Sequence, residues 1–163
     1  GNSGGPLVSL DGEVVAVINS GGGENIAFGI SAALARRVVP ALVEDGSFEH
    51  SFMGVIIRAV TPDVARAIGI DPPRGLLVTR VLEDGPADGT LRGGTDERVV
   101  DGTEVRVGGD VLLAIDGEPL ATNEDLGSYL ALQTRPGDEV ELTVLREGSE
   151  LTLDVELGTR PEA

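Results

Sequence analysis

Turn-forming dipeptides that separate short aliphatic runs constrain the fold of this chain more than any other feature. Asp-Gly and related pairs adopt the positive φ angles of tight turns, while Val, Ile and Leu on either side favour extended strands. Asp-Gly or Glu-Gly pairs occur at Asp11-Gly12, Asp101-Gly102, Asp116-Gly117 and Glu147-Gly148, and Pro136-Gly137 marks a further turn. We therefore predict a mainly β protein made of antiparallel hairpins, with some α-helix.

Strands and helices are predicted in the intervals between these turns. A helix is predicted from Ala32 to Val43, because Ser31 is placed to cap it and apolar residues recur at helical spacing. Pro40 is a candidate break or kink in this helix, and Gly46 a candidate end. Shorter helices are predicted at 62–68 and from Asn123 to about Leu132. Strands are predicted at 7–18 (a hairpin), 25–30, 53–60, 76–81, 99–107 (a second hairpin), 111–115, 140–146 and 151–157.

Two residue types are missing, and each absence excludes a class of chemistry. The 12 basic residues are all Arg, and there is no Cys. Without Lys the chain cannot form a Schiff base, a Ser-Lys dyad or the lysine contact of a phosphate-binding loop. Without Cys it has no thiol nucleophile, thiolate metal site or disulfide. Serine remains available as a nucleophile.

The charge balance is strongly acidic, with 28 Asp and Glu and a formal net charge of -16. Such a charge repels phosphate backbones and anionic membranes, so nucleic acid and acidic lipid are poor candidate partners. Two explanations stay open. One is adaptation to very high salt, and the other is an acidic protein from a GC-rich genome, which predicts no dependence of stability on salt.

The ends of the chain carry their own expectations. The longest apolar runs, such as 14–18, are far shorter than the roughly 20 residues that a membrane helix needs. The sequence opens on Gly1 in the middle of a compact motif, so we expect a fragment of a longer protein. The localisation is unknown from sequence, which leaves an extracytoplasmic or membrane-anchored protein open.

The motif at the start of the chain is Gly1-Asn2-Ser3-Gly4-Gly5-Pro6. It resembles the nucleophile loop of the HtrA (Deg) family of chymotrypsin-like serine proteases, and segments 14–19 and 25–31 are similar to the strands that follow in that family. The resemblance implies that Ser3 is the catalytic nucleophile and that the N–H groups of Gly1 and Ser3 form the oxyanion hole. Taken alone, Ser-Gly-Gly-Pro is as well explained as a simple turn.

A serine protease also needs a general base and an orienting carboxylate, which in this family lie upstream of the serine. The single histidine, His50, follows Ser3 in the chain and is expected to be a solvated linker residue. We therefore expect this chain to be inactive by itself.

The second half of the sequence resembles a PDZ domain of the HtrA type. The resemblance implies that the loop Phe52-Met53-Gly54-Val55-Ile56 binds a peptide carboxylate through its N–H groups and that the peptide adds as a strand along 55–59. Leu126 and Leu130, four residues apart on a predicted helix, are candidates to face the peptide. Ordinary core packing is an alternative for this pair. Arg58, Arg74 and Arg80 either steer an anionic chain end or pair with neighbouring acids.

Together these observations predict a domain organisation and a function. Residues 1–46 are expected to be the C-terminal piece of a trypsin-like protease domain with a linker helix, 47–51 a linker, 52–158 a PDZ domain of sandwich or barrel type with two helices, and 159–163 a tail. The resemblance implies an ATP-independent serine endopeptidase of protein quality control that acts on damaged or unfolded proteins and peptide C-termini and assembles as a trimer-based homo-oligomer. The alternative is a PDZ adaptor without protease activity. No cofactor and no metal are expected, since the acidic clusters lack EF-hand spacing.

Overall fold

The structure is a computed structural model that describes residues 2–21 and 27–161. The chain divides into two compact units, Gly1–Phe48 and Glu49–Ala163. Among the described residues, no helix combines the length and the apolar character needed to cross a bilayer.

The first unit is a three-stranded antiparallel sheet followed by a helix. Strands β1 (Pro6–Val8), β2 (Val14–Gly21) and β3 (Ala27–Ser31) pair in the order β1-β2-β3. Helix α1 (Ala32–Glu44) begins at the predicted cap, where the Ser31 hydroxyl accepts a hydrogen bond from the N–H of Leu34. The helix continues through Pro40 and ends at Asp45, so the proline does not break it. Asn25 and Ile26, predicted to start the third strand, lie outside the described residues.

The second unit is built on an open antiparallel sheet. The strand order is β12 (Ser149–Glu156), β11 (Glu139–Arg146), β9 (Val111–Ile115), β6 (Leu76–Val81) and β5 (Val55–Ala59). The short strand β10 (Glu118–Pro119) also pairs with β9. Two further pairs are β4 (Ser51–Phe52) with β13 (Gly158–Thr159), and β7 (Asp96–Val100) with β8 (Thr103–Val107). The helices are α2 (Pro62–Ile68) and α3 (Asn123–Gln133). The described strands stay open and close no barrel.

The turns of the second unit follow the predicted chemistry. Asp101 and Gly102 have φ angles of 48° and 75°, and Glu147 and Gly148 have 51° and 81°. Two successive residues at positive φ match the right-handed twist of the strands that a tight hairpin joins. The mainly β prediction and both of these hairpins are confirmed.

Two apolar clusters cover the opposite faces of the central strand β6. Leu76 and Val78 belong to one cluster, together with Leu126 of α3, whereas Leu77 belongs to the other, with Val64 of α2 and Val107 of β8. Alternate residues of a strand point to opposite faces, which explains this division. Helix α3 therefore packs on one face of the sheet, and α2 with the β7–β8 hairpin on the other.

Candidate peptide-binding groove and serine loop

A groove of about 290 Å³ lies on the α3 side of the sheet. Most of its walls come from the segment leading into β5 and from one face of α3. The helix residues are spaced three or four apart, which places them on one side of the helix. The lining residues are His50, Ser51, Phe52, Met53, Gly54, Val55, Ile57, Asn123, Leu126, Gly127, Leu130, Ala131 and Arg160.

The loop that contributes Met53 and Gly54 to the groove is held by its carbonyl groups. The carbonyl of Met53 accepts from the N–H of Ala87 at 3.0 Å, and that of Gly54 accepts from Leu82 at 2.8 Å. Among the described residues, none accepts a hydrogen bond from the N–H groups of Met53 or Gly54. Two backbone donors are thus left for a ligand.

Gly54 is required at the centre of this loop for two reasons. Its φ angle is +78°, and a Cβ atom there would lie 3.0 Å from Cδ of Pro86. A side chain would therefore be strained by the backbone and crowded by its neighbour. The sequence predicted that this strand starts at Met53. It starts at Val55 instead, because the left-handed conformation of Gly54 interrupts the extended backbone.

The neighbouring strand β5 is the last strand of its sheet. One of its edges pairs with β6, and no described strand pairs with the other. An unpaired edge presents N–H and C=O groups that an extended peptide can bind as an added strand. The free edge begins next to the two N–H groups of the loop.

The structure brings most of the sequence-predicted binding residues together, with one exception. Phe52, Met53, Gly54 and Val55 line the groove, but the side chain of Ile56 does not. It is 45% exposed and lies on the other face of β5, because alternate residues of a strand point in opposite directions. Ile57 takes its place in the groove wall.

Leu126 and Leu130 combine packing against the core with a position in the groove wall. Leu126 is buried in the core cluster, Leu130 packs against that cluster, and both line the groove. Helix α3 is fixed at its start by a capping box between Thr122 and Asp125. Hydrogen bonds from the N–H groups of Ala121 and Thr122 hold the pKa of Asp125 below its ordinary value.

Several groove residues were missed from sequence. His50, expected to be a solvated linker residue, is half-buried and lines the groove. Its carbonyl accepts from the N–H of Arg160 at 2.9 Å, beside the β4–β13 pair. The helical spacing of Asn123, Gly127 and Ala131 around the two leucines was a signal that could have identified them.

Arg58, Arg74 and Arg80, the three arginines considered as steering residues, have different environments. Arg74 pairs with Glu150 at 2.8 Å, whereas Arg58 and Arg80 form no ion pair with any described residue. Among the residues that the structure describes, His, Asp and Glu side chains form no cluster of three or more that could hold a metal ion.

The serine loop of the first unit is a tight turn tied to β2. The N–H of Gly4 donates to the carbonyl of Ile18 at 2.8 Å, and the N–H of Ile18 donates to the carbonyl of Gly5 at 2.9 Å. Gly4 has a φ of +86°, and Ser3 at the tip is exposed. Gly1, the other residue of the predicted oxyanion hole, lies outside the described residues.

Comparison with known proteins gives consistent results. The family model described as PDZ domain matches residues 47–157. Over 167 residues the chain is 40% identical to a probable periplasmic serine endoprotease, DegP-like, of Ectopseudomonas mendocina (strain ymp), covering 99% of this chain and 32% of the relative. It is 36% identical over 166 residues to the protein of the same description in Rhizobium meliloti (strain 1021), covering 99% of this chain and 30% of that one.

Two solved structures resemble the chain over its whole length. One is described as the HtrA-type protease AlgW with decapeptide, with a TM-score of 0.73, 30% identity and coverage of 100% of this chain and 47% of that one. The other, AlgW with tripeptide, has a TM-score of 0.71 and 31% identity, and covers 100% of this chain and 51% of that one. The chain thus spans about a third of the length of the curated relatives it matches.

Proposed function

Because this chain belongs to the PDZ domain family, we propose that its second unit binds peptides that end in an apolar residue with a free carboxylate. The observation that carries the proposal is the pair of N–H groups on Met53 and Gly54 without an acceptor among the described residues. A carboxylate placed there accepts two charge-assisted hydrogen bonds. The peptide backbone then extends along the free edge of β5, and its alternate side chains enter the groove between Val55, Leu126 and Leu130.

The test compares one peptide with a free C-terminus and the same peptide amidated, by isothermal titration. Loss of the carboxylate removes charge-assisted hydrogen bonds, so the amide is expected to bind at least about tenfold more weakly. Equal affinities for the two peptides would contradict the proposal.

A pair of glycine variants separates binding from stability. Gly54→Ala strains and crowds the loop, and is expected to reduce affinity. Gly117→Ala is the matched control, since Gly117 has a φ of +81°, meets nothing within 4 Å and lies outside the groove. Both variants should lose stability, but only Gly54→Ala should lose peptide binding.

For the whole protein we propose the activity of an HtrA-like serine endopeptidase, with Ser3 as nucleophile and residues 1–46 as the C-terminal piece of a trypsin-like domain. The tight, exposed serine turn and the DegP-like relatives support this proposal. The base and the orienting carboxylate would come from the rest of the protein, since no described residue hydrogen-bonds the Ser3 hydroxyl. Damaged or unfolded proteins are the proposed substrates, in an extracytoplasmic compartment, and a trimer-based homo-oligomer is the proposed assembly.

Casein hydrolysis by the full-length protein tests this activity. Ser3→Ala should abolish turnover while leaving peptide binding by the second unit unchanged. The chain by itself should not hydrolyse casein. If the full-length protein shows no serine-dependent turnover but binds peptides, the adaptor function without protease activity is the correct one.

A further inference from the structure

We propose that the groove selects peptides with an acidic side chain at the fourth position from the C-terminus, recognised by Arg58, and that Arg80 adds a weaker preference for an acidic penultimate residue. This inference rests on the proposed binding of a peptide carboxylate. It adds the charge of the preferred ligand, which neither the fold nor the relatives specify.

The register of the added strand determines which peptide side chains lie beside Arg58. With the carboxylate at Met53 and Gly54, an antiparallel peptide places its last residue beside Val55 and its fourth-from-last residue beside Arg58. Residues directly opposite each other in antiparallel strands project to the same face, with Cβ atoms about 5 Å apart. The last and third-from-last side chains therefore enter the groove with Val55 and Ile57. The penultimate and fourth-from-last side chains point to the face of β5 that carries Ile56 and Arg58.

The surface on the Ile56 and Arg58 face of β5 carries several charged side chains. A second cavity, of about 490 Å³, adjoins the groove, because Ile57 and Asn123 line both. On β6, Arg80 is the cross-strand partner of Ile56. The charged residues that line this cavity are Arg58, Arg80, Arg106, Glu97 and Glu104.

The charge balance of this surface is opposite to that of the whole chain. It carries three Arg and two Glu, although acidic residues outnumber Arg by 28 to 12 in the whole chain. Arg106 is paired with Glu97 at 3.5 Å, which leaves Arg58 and Arg80 to face Glu104 alone. A local excess of positive charge next to the free edge of β5 is complementary to an acidic peptide.

Five of the ten arginines of the second unit form no ion pair with any described residue, and of these five only Arg58 and Arg80 line this cavity. Arg66, Arg74, Arg92, Arg106 and Arg146 each contact a carboxylate. Arg58 and Arg80, the two next to the free edge, form no ion pair with any described residue. An acidic peptide side chain supplies the partner that these two lack.

The experiment uses three peptides with the same apolar C-terminus and Glu, Gln or Lys at the fourth position from the end. At low salt the Glu peptide should bind about threefold more tightly than the Gln peptide, and the Lys peptide more weakly than both. The ratio of the affinities for the Glu and Gln peptides should fall towards one in molar KCl, because salt screens the half-exposed pair of Arg58 and the peptide Glu.

Two variants that each remove one positive charge show whether Arg58 is responsible for the preference for Glu. Arg58→Gln should abolish the preference for Glu. Arg74→Gln should keep it, since Arg74 lines a different cavity and pairs with Glu150. Arg80→Gln should reduce the smaller preference for Glu at the penultimate position. Equal binding of the Glu and Gln peptides by the unsubstituted protein, or an equal loss of preference in Arg58→Gln and Arg74→Gln, would overturn the inference.

An amidated Gln peptide distinguishes this inference from the proposed function. If the amide binds as well as the free acid, carboxylate recognition itself is wrong. If the free acid is required but Glu and Gln bind equally, only the charge preference is wrong.

Discussion

Arg146 and Asp110 form a two-point ion pair in the interior of the second unit. Nε of Arg146 lies 2.7 Å from Oδ1 of Asp110, and Nη2 lies 2.7 Å from Oδ2. Nη2 also donates to the carbonyl of Thr90, and Oδ2 accepts from the N–H of Arg92. The pair therefore joins the end of β11 to the residue before β9 and to the 90–92 segment. The hydrogen bond to Asp110 raises the pKa of the Arg146 guanidinium, which stays charged.

Removing the cation should destabilise the second unit strongly. Asp110 is 1% exposed, so Arg146→Met leaves a buried carboxylate without its partner and is expected to lower the free energy of unfolding by about 3 kcal/mol. Arg74→Met is the control, since its ion pair with Glu150 is about half exposed and is worth less than about 1 kcal/mol. Urea unfolding measures both. Similar losses in the two variants would mean that burial of Asp110 does not set the cost.

The single tyrosine should ionise at an unusually high pH. The hydroxyl of Tyr129 donates to Oδ2 of Asp116 at 2.7 Å, and this hydrogen bond raises the pKa of Tyr129 to about 12. In the unfolded state the pKa of the tyrosine is about 10. The folded state therefore binds the phenolic proton more tightly than the unfolded state does. The stabilisation is therefore complete below about pH 10 and is lost as the pH rises towards 12.

Ultraviolet absorbance of tyrosinate follows this titration directly, because the chain contains one Tyr and no Trp. Asp116→Asn should shift the midpoint back towards about 10. Circular dichroism recorded in parallel shows whether the chain is still folded at each pH. An unchanged midpoint in the folded variant would show that Asp116 is not the cause.

Two glycines should respond in opposite directions to alanine. Gly75 has a φ of +82°, and a Cβ atom there would lie 2.5 Å from the carbonyl oxygen of Leu112. Gly75→Ala is therefore expected to cost at least about 2 kcal/mol of stability. Gly127 lies within α3 and a Cβ atom there meets nothing within 4 Å, so Gly127→Ala should stabilise by about 0.5–1 kcal/mol. Stabilisation by both would refute the close approach at Gly75.

Salt should stabilise the protein if its acidity is an adaptation to high salt. A net charge of -16 produces self-repulsion that added ions screen. The thermal midpoint is therefore expected to rise from low to molar KCl. Affinity for an apolar peptide without charged side chains should rise as well, because screening weakens the repulsion between its terminal carboxylate and the acidic protein. A flat or falling midpoint would favour the explanation by genome composition.

Local signals predicted most of the secondary structure. Helix α2 and strands β6 and β9 have the predicted bounds, since proline, threonine and glycine mark their ends and aliphatic runs fill them. Pro40 was misjudged as a candidate break, because a proline costs a helix one hydrogen bond that the rest of α1 can tolerate. The start of β5 was placed early because a left-handed Gly54 is not visible in a hydrophobic pattern.

Local signals could not locate contacts between distant segments. The sequence shows that Arg146 and Asp110 are charged, but their pairing requires β11 and β9 to lie side by side. The exposure of Ile56 and the place of Ile57 in the groove follow from the register of β5, which depends on its pairing with β6. His50 and Arg160 come together only through the β4–β13 pair.

The sequence by itself determined the turns, the helix starts, the aliphatic composition of the core and the serine motif, because each depends on neighbouring residues and their backbone preferences. Only the tertiary structure decided which strand edge is free, which N–H groups lack an acceptor and which arginines lack a carboxylate. These properties depend on what other parts of the chain already occupy. A binding groove is such a property, since it consists of groups that the fold brings together and leaves without partners.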